Sequence, residues 1–430
     1  MRILEYDELA QTEIDALMRR PSSDFTDIDD DVRSILKTVQ NEGDSGVKEL
    51  LRTFDKVELS SLAVSDQELQ TASTQTTKTI REAVKRAGES LNTFHSLQRP
   101  SNIEVETAPG VRCRLDWRAI DRVGLYVPGG SAPLISTVLM LGIPAKLAGC
   151  PRIVLCTPPN SDGSISTDIL FAAHFLGIRD VFKVGGGQAI AAMALGTQSI
   201  PKVSKIFGPG NRYVTAMKSL VSRPPLNTAV DMLAGPSELL VIADEIATPQ
   251  WIAADLLSQA EHGADSPVVL VTTSAKLVEA VKSELAAQLE KLPRKAVAGR
   301  ALDRSFMVLV KDLEQAIDFS NAYAPEHLIL AVKDANTVSS RIVNAGSVFI
   351  GPMTSVVFGD YASGTNHTLP TGGLSVSFGG LTVTDFMKPM FFQEVGSQGL
   401  ASLASTVKAL ARAEKLEAHA RAVEVREAGA

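Results

Sequence analysis

The sequence has few cysteines, no long apolar run and no secretory signal. Its 430 residues include only three cysteines, Cys113, Cys150 and Cys156, and this odd number in a large acidic chain predicts reduced thiols rather than a disulfide framework. No stretch reaches the roughly 18 apolar residues that a membrane-spanning helix needs. Acidic residues also interrupt the start of the chain, where a secretory signal would have its apolar core. We therefore expect a cytoplasmic protein.

Basic residues are too few for a nucleic-acid partner. Lys and Arg number 42 against 49 Asp and Glu, a net charge of −7, which would repel a polyanion unless a local basic patch offset it. The sequence shows no such patch. Hydrophobic residues at 45% and charged residues at 21% indicate a globular protein. Because 430 residues exceed one ordinary core, we expect two larger units.

Strands and helices alternate through most of the chain after a helical beginning. From Asp7 to Gln98 apolar residues recur three and four apart, and Ser65 is placed as an N-cap. Later, β-branched runs alternate with helical segments, first from RIVLC to SKIFG and then from LLVIAD to SVFIG. This pattern predicts an α/β fold of two Rossmann-like parallel-sheet units, with a helical N-terminal segment and a C-terminal helical tail.

The change in texture along the chain predicts four parts. They are a helical segment at 1–22, a discontinuous main α/β domain at 23–125 with 237–380, an inserted α/β domain at 126–236, and the tail at 381–430. Residues 359–380 are rich in Gly, Ser and Thr, which predicts a functional loop. The last 30 residues predict one amphipathic helix, and a terminal helix in this position often docks on a partner subunit.

Three predicted strands run directly into glycine turns. The turns extend from Tyr126 to Gly130, from 185 to 187 before Gln188, and from 208 to 210 before Asn211. None matches the G-x-G-x-x-G dinucleotide motif. Glycine is either needed simply for tight turns, or it lets backbone amides approach the phosphates of a nucleotide. Three such turns together favour a nucleotide site.

Two of the six histidines differ from the rest because they lie on amphipathic helices. For these two, His95 and His174, we expect surface or packing roles.

Gln259 and His262 are three apart on one face of a predicted helix, near its C-terminal end. They are either a pair of metal donors or a polar helix end, and glutamine is an unusual zinc ligand.

Glu326 and His327 immediately precede an apolar strand, and Pro325 stiffens the approach. Such a pair can divide acid–base work, because neutral histidine accepts a proton near pH 7 while the carboxylate activates water. The alternative is a strand-end pair that faces solvent.

The glycine-rich loop and the tail hold further ionisable residues. Asp360 opens the loop and His367 lies within it, and an aspartate would complete an oxygen and nitrogen ligand set for zinc or manganese. Glu414 and His419 in the tail are five apart, so by themselves they are expected to be solvated.

Taken in order, several strings resemble the histidinol dehydrogenase family. They are YVPGGSAPLISTVLM, GGGQAI, IFGPGN, DMLAGPSE, DLLSQAEHG, NAYAPEHL, GDYASGTNHTLPT and the tail from Glu414 to His419. The resemblance extends from about Asp31 onward. It implies a cytoplasmic homodimer that oxidises L-histidinol through L-histidinal to L-histidine in two NAD-dependent steps, the last of histidine biosynthesis.

The resemblance also implies a role for each site residue. His327 would take the hydroxyl proton and Glu326 would activate water. One zinc ion per subunit would be bound by Gln259, His262, Asp360 and His419, with His419 reaching from the other subunit. NAD would contact the inserted domain at Tyr126, Gln188 and Asn211. Substrate would contact Ser237, Gln259, His262, His327, Asp360, His367, Glu414 and His419.

Three other interpretations of the sequence remain open. A family relative could oxidise another small polyol, or the chain could be a zinc hydrolase with Glu326 as its base. Aldehyde oxidation can also proceed through a cysteine thiohemiacetal. However, none of the three cysteines has a neighbouring His or Lys that would make it a thiolate.

Overall fold

The N-terminal segment is not wholly helical. The computed structural model describes residues 1–20, 25–129, 133–233 and 235–429. Strand β1, Arg2–Glu5, precedes helix α1, Gln11–Met18. The strand forms because it pairs in parallel with residues 306–309, about three hundred positions away, and a local pattern does not report such a pairing.

Helices then cover the next part of the chain, as predicted. They are α2 (Asp29–Glu42), α3 (Asp44–Leu50), α4 (Asp66–Gln75) and α5 (Lys78–His95). Ser65 caps α4 as expected, since its hydroxyl accepts a hydrogen bond from the Glu68 amide at 3.2 Å and the Glu68 carboxylate accepts one from the Ser65 amide at 2.8 Å. A hairpin follows, with strands β2 (Ile103–Ala108) and β3 (Val111–Ala119).

A five-stranded parallel sheet comes next. Its strands are β4 (Arg122–Tyr126), β5 (Arg152–Thr157), β6 (Asp180–Lys183), β7 (Lys205–Phe207) and β8 (Ala229–Val230), in the order β6-β5-β4-β7-β8. The connecting helices are α6 (Ile135–Ala148), α7 (Thr167–Phe175), α8 (Gly186–Leu195) and α9 (Arg212–Val221). Helices on both faces leave the inner strands almost fully buried.

The second parallel sheet has six strands. Five strands and five helices lie between residues 239 and 350, and β1 completes the sheet. They are β9 (Leu239–Ala243), α10 (Pro249–Ala260), β10 (Val268–Thr272), α11 (Ala275–Leu289), α12 (Lys295–Asp303), β11 (Phe306–Leu309), α13 (Leu313–Tyr323), β12 (His327–Ala331), α14 (Ala335–Ser339), β13 (Ser347–Ile350), and then α15 (Val356–Tyr361). The strand order is β1-β11-β10-β9-β12-β13. The predicted α/β class with two parallel sheets is confirmed.

The tail contains a strand as well as helices. Strand β14, Met387–Val395, pairs antiparallel with β3 in a separate three-stranded sheet. Two helices follow it, α16 (Ser397–Ala413) and α17 (Glu417–Glu427). The prediction of one terminal helix is wrong, because Lys415 takes a left-handed conformation with φ of 61° and separates the two.

Packing relates the N-terminal helices to the five-stranded sheet. Val84 and Leu91 of α5 share a buried cluster with Leu125 of β4, and Ile35 of α2 shares another with Ile206 of β7. The sequence-based domain boundaries remain a prediction. Within the described part of the chain, no helix is long and apolar enough to cross a bilayer.

Candidate active site

One cavity of about 670 Å³ collects most of the residues predicted to act. It lies between the carboxyl edge of the five-stranded sheet and the amino edge of the six-stranded sheet, because its walls come from turns after β7 and from residues that precede β9 and β12. The predicted site residues that line it are Asn211, Ser237, Gln259, His262, Glu326, His327, Asp360 and His367.

Glu326 and His327 are buried, each only 4% exposed, so the solvent-facing alternative is wrong. The carboxylate Oε2 of Glu326 accepts a hydrogen bond from the Glu238 amide at 2.8 Å. The Nδ1 atom of His327 lies 3.1 Å from the carbonyl oxygen of Glu238. Because a carbonyl only accepts, Nδ1 carries the proton in the neutral ring. In that neutral ring the other nitrogen, Nε2, is the one that accepts a proton.

The Nε2 atom of His327 is buried without a hydrogen-bond partner among the described residues. Its nearest acid is Asp360, whose Oδ1 lies 3.6 Å away. Burial lowers the pKa of His327, but the carboxylates of Glu326 and Asp360 outweigh it and raise that pKa to about 10. Burial raises the pKa of Asp360, but His327 and the other nearby histidines bring it below its usual value.

Gln259 lies in the last turn of α10, as predicted, but the helix ends at Ala260 and His262 lies two residues beyond it. This end points to the amino edge of the sheet because the helix runs opposite to its strands. Gln259 is 1% exposed, and neither its amide oxygen nor its amide nitrogen has a partner in the described structure. A buried amide without partners is costly unless a ligand satisfies it. Together, the side chains of Gln259, His262 and Asp360 supply nitrogen and oxygen donors to the lining of the cavity.

These donors do not form a complete metal centre within one chain. Among the described residues no three His, Cys, Asp or Glu side chains cluster closely enough to hold a metal ion. The fourth predicted ligand, His419, is exposed on α17, Glu414 is exposed at the end of α16, and neither lines the cavity. The remaining histidine of the site, His367, lines the cavity, and burial lowers its pKa to about 4.

The three residues predicted to contact NAD lie at the carboxyl edge of the five-stranded sheet. Asn211 lines the cavity and caps α9, its side chain accepting from the Val214 amide at 3.1 Å. Tyr126 and Gln188 are each 3% exposed and do not line it. The Tyr126 hydroxyl accepts from the Gly186 amide at 3.0 Å, and burial raises its pKa to about 12.

This edge has the topology of a ligand crevice. The chain passes from β4 through β5 to β6 on one side and then returns to β7 on the other side of β4. Ligands bind in open parallel sheets where the direction reverses in this way. Gly208 lies at that point with φ of 121°, and a Cβ there would come 2.1 Å from the Tyr126 carbonyl oxygen. Gly130, at the end of the predicted turn after β4, lies outside the described residues.

Two features of the site have no clear signal in the sequence. Glu238 stands directly before β9, and its backbone contacts both Glu326 and His327. Buried Lys218 donates to the Gly208 carbonyl at 2.9 Å and forms an ion pair with Asp231, which in turn accepts from the Gly208 amide at 2.7 Å. The sequence pattern shows only that Glu238 and Asp231 flank strands, so the partners become visible only in the fold.

The cysteines lie away from the cavity. None of the three belongs to its described lining. Cys156 is fully buried, and burial raises its pKa. Burial also raises the pKa of Cys150 to about 11. These positions and pKa values disfavour a thiolate nucleophile.

Comparisons with known proteins agree with the resemblance found in the sequence. The family model described as histidinol dehydrogenase matches residues 18–427. The histidinol dehydrogenase of Bacteroides thetaiotaomicron is 49% identical over 426 residues, covering 99% of this chain and 99% of that protein. That of Yersinia pestis is 48% identical and covers 99% of this chain and 95% of the relative. A crystal structure of histidinol dehydrogenase from Elizabethkingia anophelis superposes with a TM-score of 0.92 at 44% identity, covering 97% and 96% of the two chains.

Proposed function

The chain belongs to the histidinol dehydrogenase family, and we propose that it oxidises L-histidinol through L-histidinal to L-histidine, the closing steps of histidine biosynthesis. One observation carries the proposal beyond family membership. A buried histidine whose Nδ1 proton is held by a backbone carbonyl presents its free Nε2 beside a buried carboxylate, in a cavity that also reaches a nucleotide-type crevice.

In its neutral form His327 accepts the hydroxyl proton of the alcohol at Nε2, and a cation bound at Asp360 would favour that form by lowering the pKa of His327 from about 10. Its ring is fixed by the Glu238 carbonyl at the opposite nitrogen, so the accepting atom points to one place. This arrangement pre-orients the base and reduces the reorganisation needed during the reaction.

Glu326 activates the water that adds to the aldehyde before the second oxidation. One carboxylate oxygen, Oε2, is already engaged by the Glu238 amide, which leaves Oε1 to accept a proton from water. Retaining the aldehyde in the cavity between the two oxidations also protects a reactive intermediate from solvent.

The donor set fits a zinc ion completed by a second chain. Gln259, His262 and Asp360 would bind it from one chain and His419 of the partner subunit from the other. When bound, zinc supplies a Lewis-acidic anchor for the imidazole and amino nitrogens of histidinol. Ser237, His327, His367 and Glu414 would complete the substrate contacts. The partnerless amide of Gln259 is the feature of this chain that supports the fit.

The crevice between β4 and β7 fits NAD, which supplies the hydride acceptor for both oxidations when bound. Asn211 and the glycine turn before it border the main cavity. Tyr126 and Gln188 lie deeper along the same sheet edge. These three residues would hold the dinucleotide.

The tail has the form expected of a shared-site homodimer. Strand β14 has nine residues, which at about 3.3 Å per residue carry the chain about 30 Å. Helix α16 starts at the far end of this strand, where the Gly396 amide donates to the Gly110 carbonyl at 2.9 Å. Phe391 on β14 and Leu410 on α16 are 71% and 61% exposed. A partner subunit would cover these apolar side chains and receive His419.

The proposed compartment is the cytoplasm, which agrees with three free cysteines. The activity is tested by adding histidinol and NAD to the purified, zinc-loaded protein. We expect about two NADH per histidinol, with histidine as the product. One NADH with released aldehyde would contradict the two-step reaction, and NADH formed only from other polyols would identify a different dehydrogenase. Hydrolysis of a separately supplied ester or amide, with no NADH formed from histidinol, would favour a zinc hydrolase.

A further inference from the structure

Glu238 is the residue through which Glu326 and His327 are held together. Its amide donates to Oε2 of Glu326 at 2.8 Å, and its carbonyl accepts from Nδ1 of His327 at 3.1 Å. A shift of this one peptide segment would therefore move both reacting side chains at once.

The side chain of Glu238 is fixed from two directions and is only 1% exposed. Its Oε2 accepts from Nε of Arg20 at 2.9 Å, and its Oε1 accepts from the Gly372 amide at 3.1 Å. Burial and the charge of Glu326 both raise the pKa of Glu238, whereas Arg20 opposes them. Arg20 thus offsets the negative charge of Glu238, the second buried carboxylate here besides that of Glu326.

Arg20 also contacts the segment that precedes β12. Its guanidinium lies 3.2 Å above the centroid of the Tyr323 ring and donates to the Tyr323 carbonyl. Tyr323 ends α13, three residues before Glu326. One arginine, 8% exposed, therefore joins the residue before β9 to the residues before β12, at the edge where the cavity lies.

We propose that Arg20 and Glu238 are positioning residues that set the orientation of Glu326 and His327 for both oxidations. This inference rests on the proposed function. A buried ion pair contributes little net stability compared with an apolar pair of similar size, so stability alone does not account for one at this place. Neither residue is expected to touch the substrate, because neither lines the cavity.

The test compares Arg20→Met, Glu238→Gln and the double variant in the zinc-loaded protein, with histidinol and histidinal supplied separately. Each single variant should lower kcat for both substrates by about 10- to 100-fold, since small displacements of reacting groups are costly. The KM for histidinol and the zinc content should stay within about twofold of the wild type. The double variant leaves no unpaired charge, so its Tm should recover while kcat stays low.

Two further variants keep the test decisive. Arg20→Lys retains the charge, so it should fold where Arg20→Met does not, and it should still lower kcat because lysine lacks the planar fork. Asp244→Ala is the matched control. Asp244 joins the same two strands at their opposite ends, accepting from the Lys333 amide at 2.8 Å and the Ile246 amide at 3.1 Å, and its loss should lower Tm without lowering kcat.

The outcomes separate this inference from the proposed function. If the wild type forms no NADH from histidinol, the proposed function fails. If the wild type is active but the single variants keep kcat within about twofold, the positioning role is overturned. Recovery of kcat together with Tm in the double variant would also overturn it, because that result indicates a purely structural pair.

Discussion

The Nε2 atom of His327 lies 3.6 Å from Oδ1 of Asp360, so the proposed base adjoins a proposed metal ligand on one wall of the cavity. The negative charge of Asp360 helps to raise the pKa of His327. A cation bound to Asp360 would oppose this effect. Metal binding and proton transfer are therefore expected to be coupled in this protein, and variants of each group have to be compared at equal metal content.

Glu326→Gln and His327→Asn should separate the two oxidations. His327→Asn should lower oxidation of supplied histidinol by about 10²- to 10⁴-fold, the usual value of a general base, while oxidation of supplied histidinal falls less. Glu326→Gln should show the reverse order, because it removes the group that activates water. Single-turnover NADH formation from each substrate measures the difference. His174→Asn, at an exposed position on α7, is the control, and equal losses in both variants for both substrates would argue against divided roles.

Gln259→Leu should weaken zinc binding and stabilise the metal-free protein. Because both polar atoms of this amide are buried without a partner in the described structure, an apolar side chain should raise the free energy of unfolding by about 1–2 kcal/mol. Metal analysis and urea unfolding of the metal-free protein measure the two effects. Thr228→Val is the control. It removes a hydroxyl that is also buried without a partner in the described structure, and it should leave zinc content unchanged. Unchanged zinc affinity in Gln259→Leu would remove this residue from the ligand set.

Mixing His419→Ala with His327→Ala chains should restore activity if sites are shared. Equal amounts that exchange at random give mixed dimers in which one site is intact and the other carries both changes. The expected activity is about one quarter of the wild-type value. Differently tagged chains verify that exchange has occurred. If tagged mixed dimers form and activity stays at the level of the separate variants, His419 does not act across the interface.

Lys218→Met should destabilise the turn that borders the nucleotide crevice. It leaves the buried carboxylate of Asp231 without its cation, and breaking a buried ion pair in this way costs about 3–5 kcal/mol of unfolding free energy. Because the Gly208 carbonyl also loses its hydrogen bond from Lys218, the variant should raise KM for NAD more than KM for histidinol. Chemical unfolding and steady-state kinetics measure both. Lys37→Met, at an exposed position on α2, should change neither, and an unaffected Lys218→Met protein would contradict the role of this ion pair.

Local patterns in the sequence were sufficient for the α/β class, the cap at Ser65 and the placement of Glu326 and His327 at a strand end. Each depends on residues within a few positions of one another: an apolar run such as 328–331, or a serine three residues before a glutamate. The motif strings likewise carry the resemblance to the family. Short-range signals of this kind are present in the sequence itself.

Only the tertiary structure decided which distant segments meet. Strand β1 forms through pairing with β11, and Arg20 finds Glu238 across 218 positions. The fold also places Glu326 and His327 at the amino edge of their own sheet and opposite the carboxyl edge of the other sheet. Such contacts follow from strand order and from the burial of charge in a shared interior, and no local spacing records either of them.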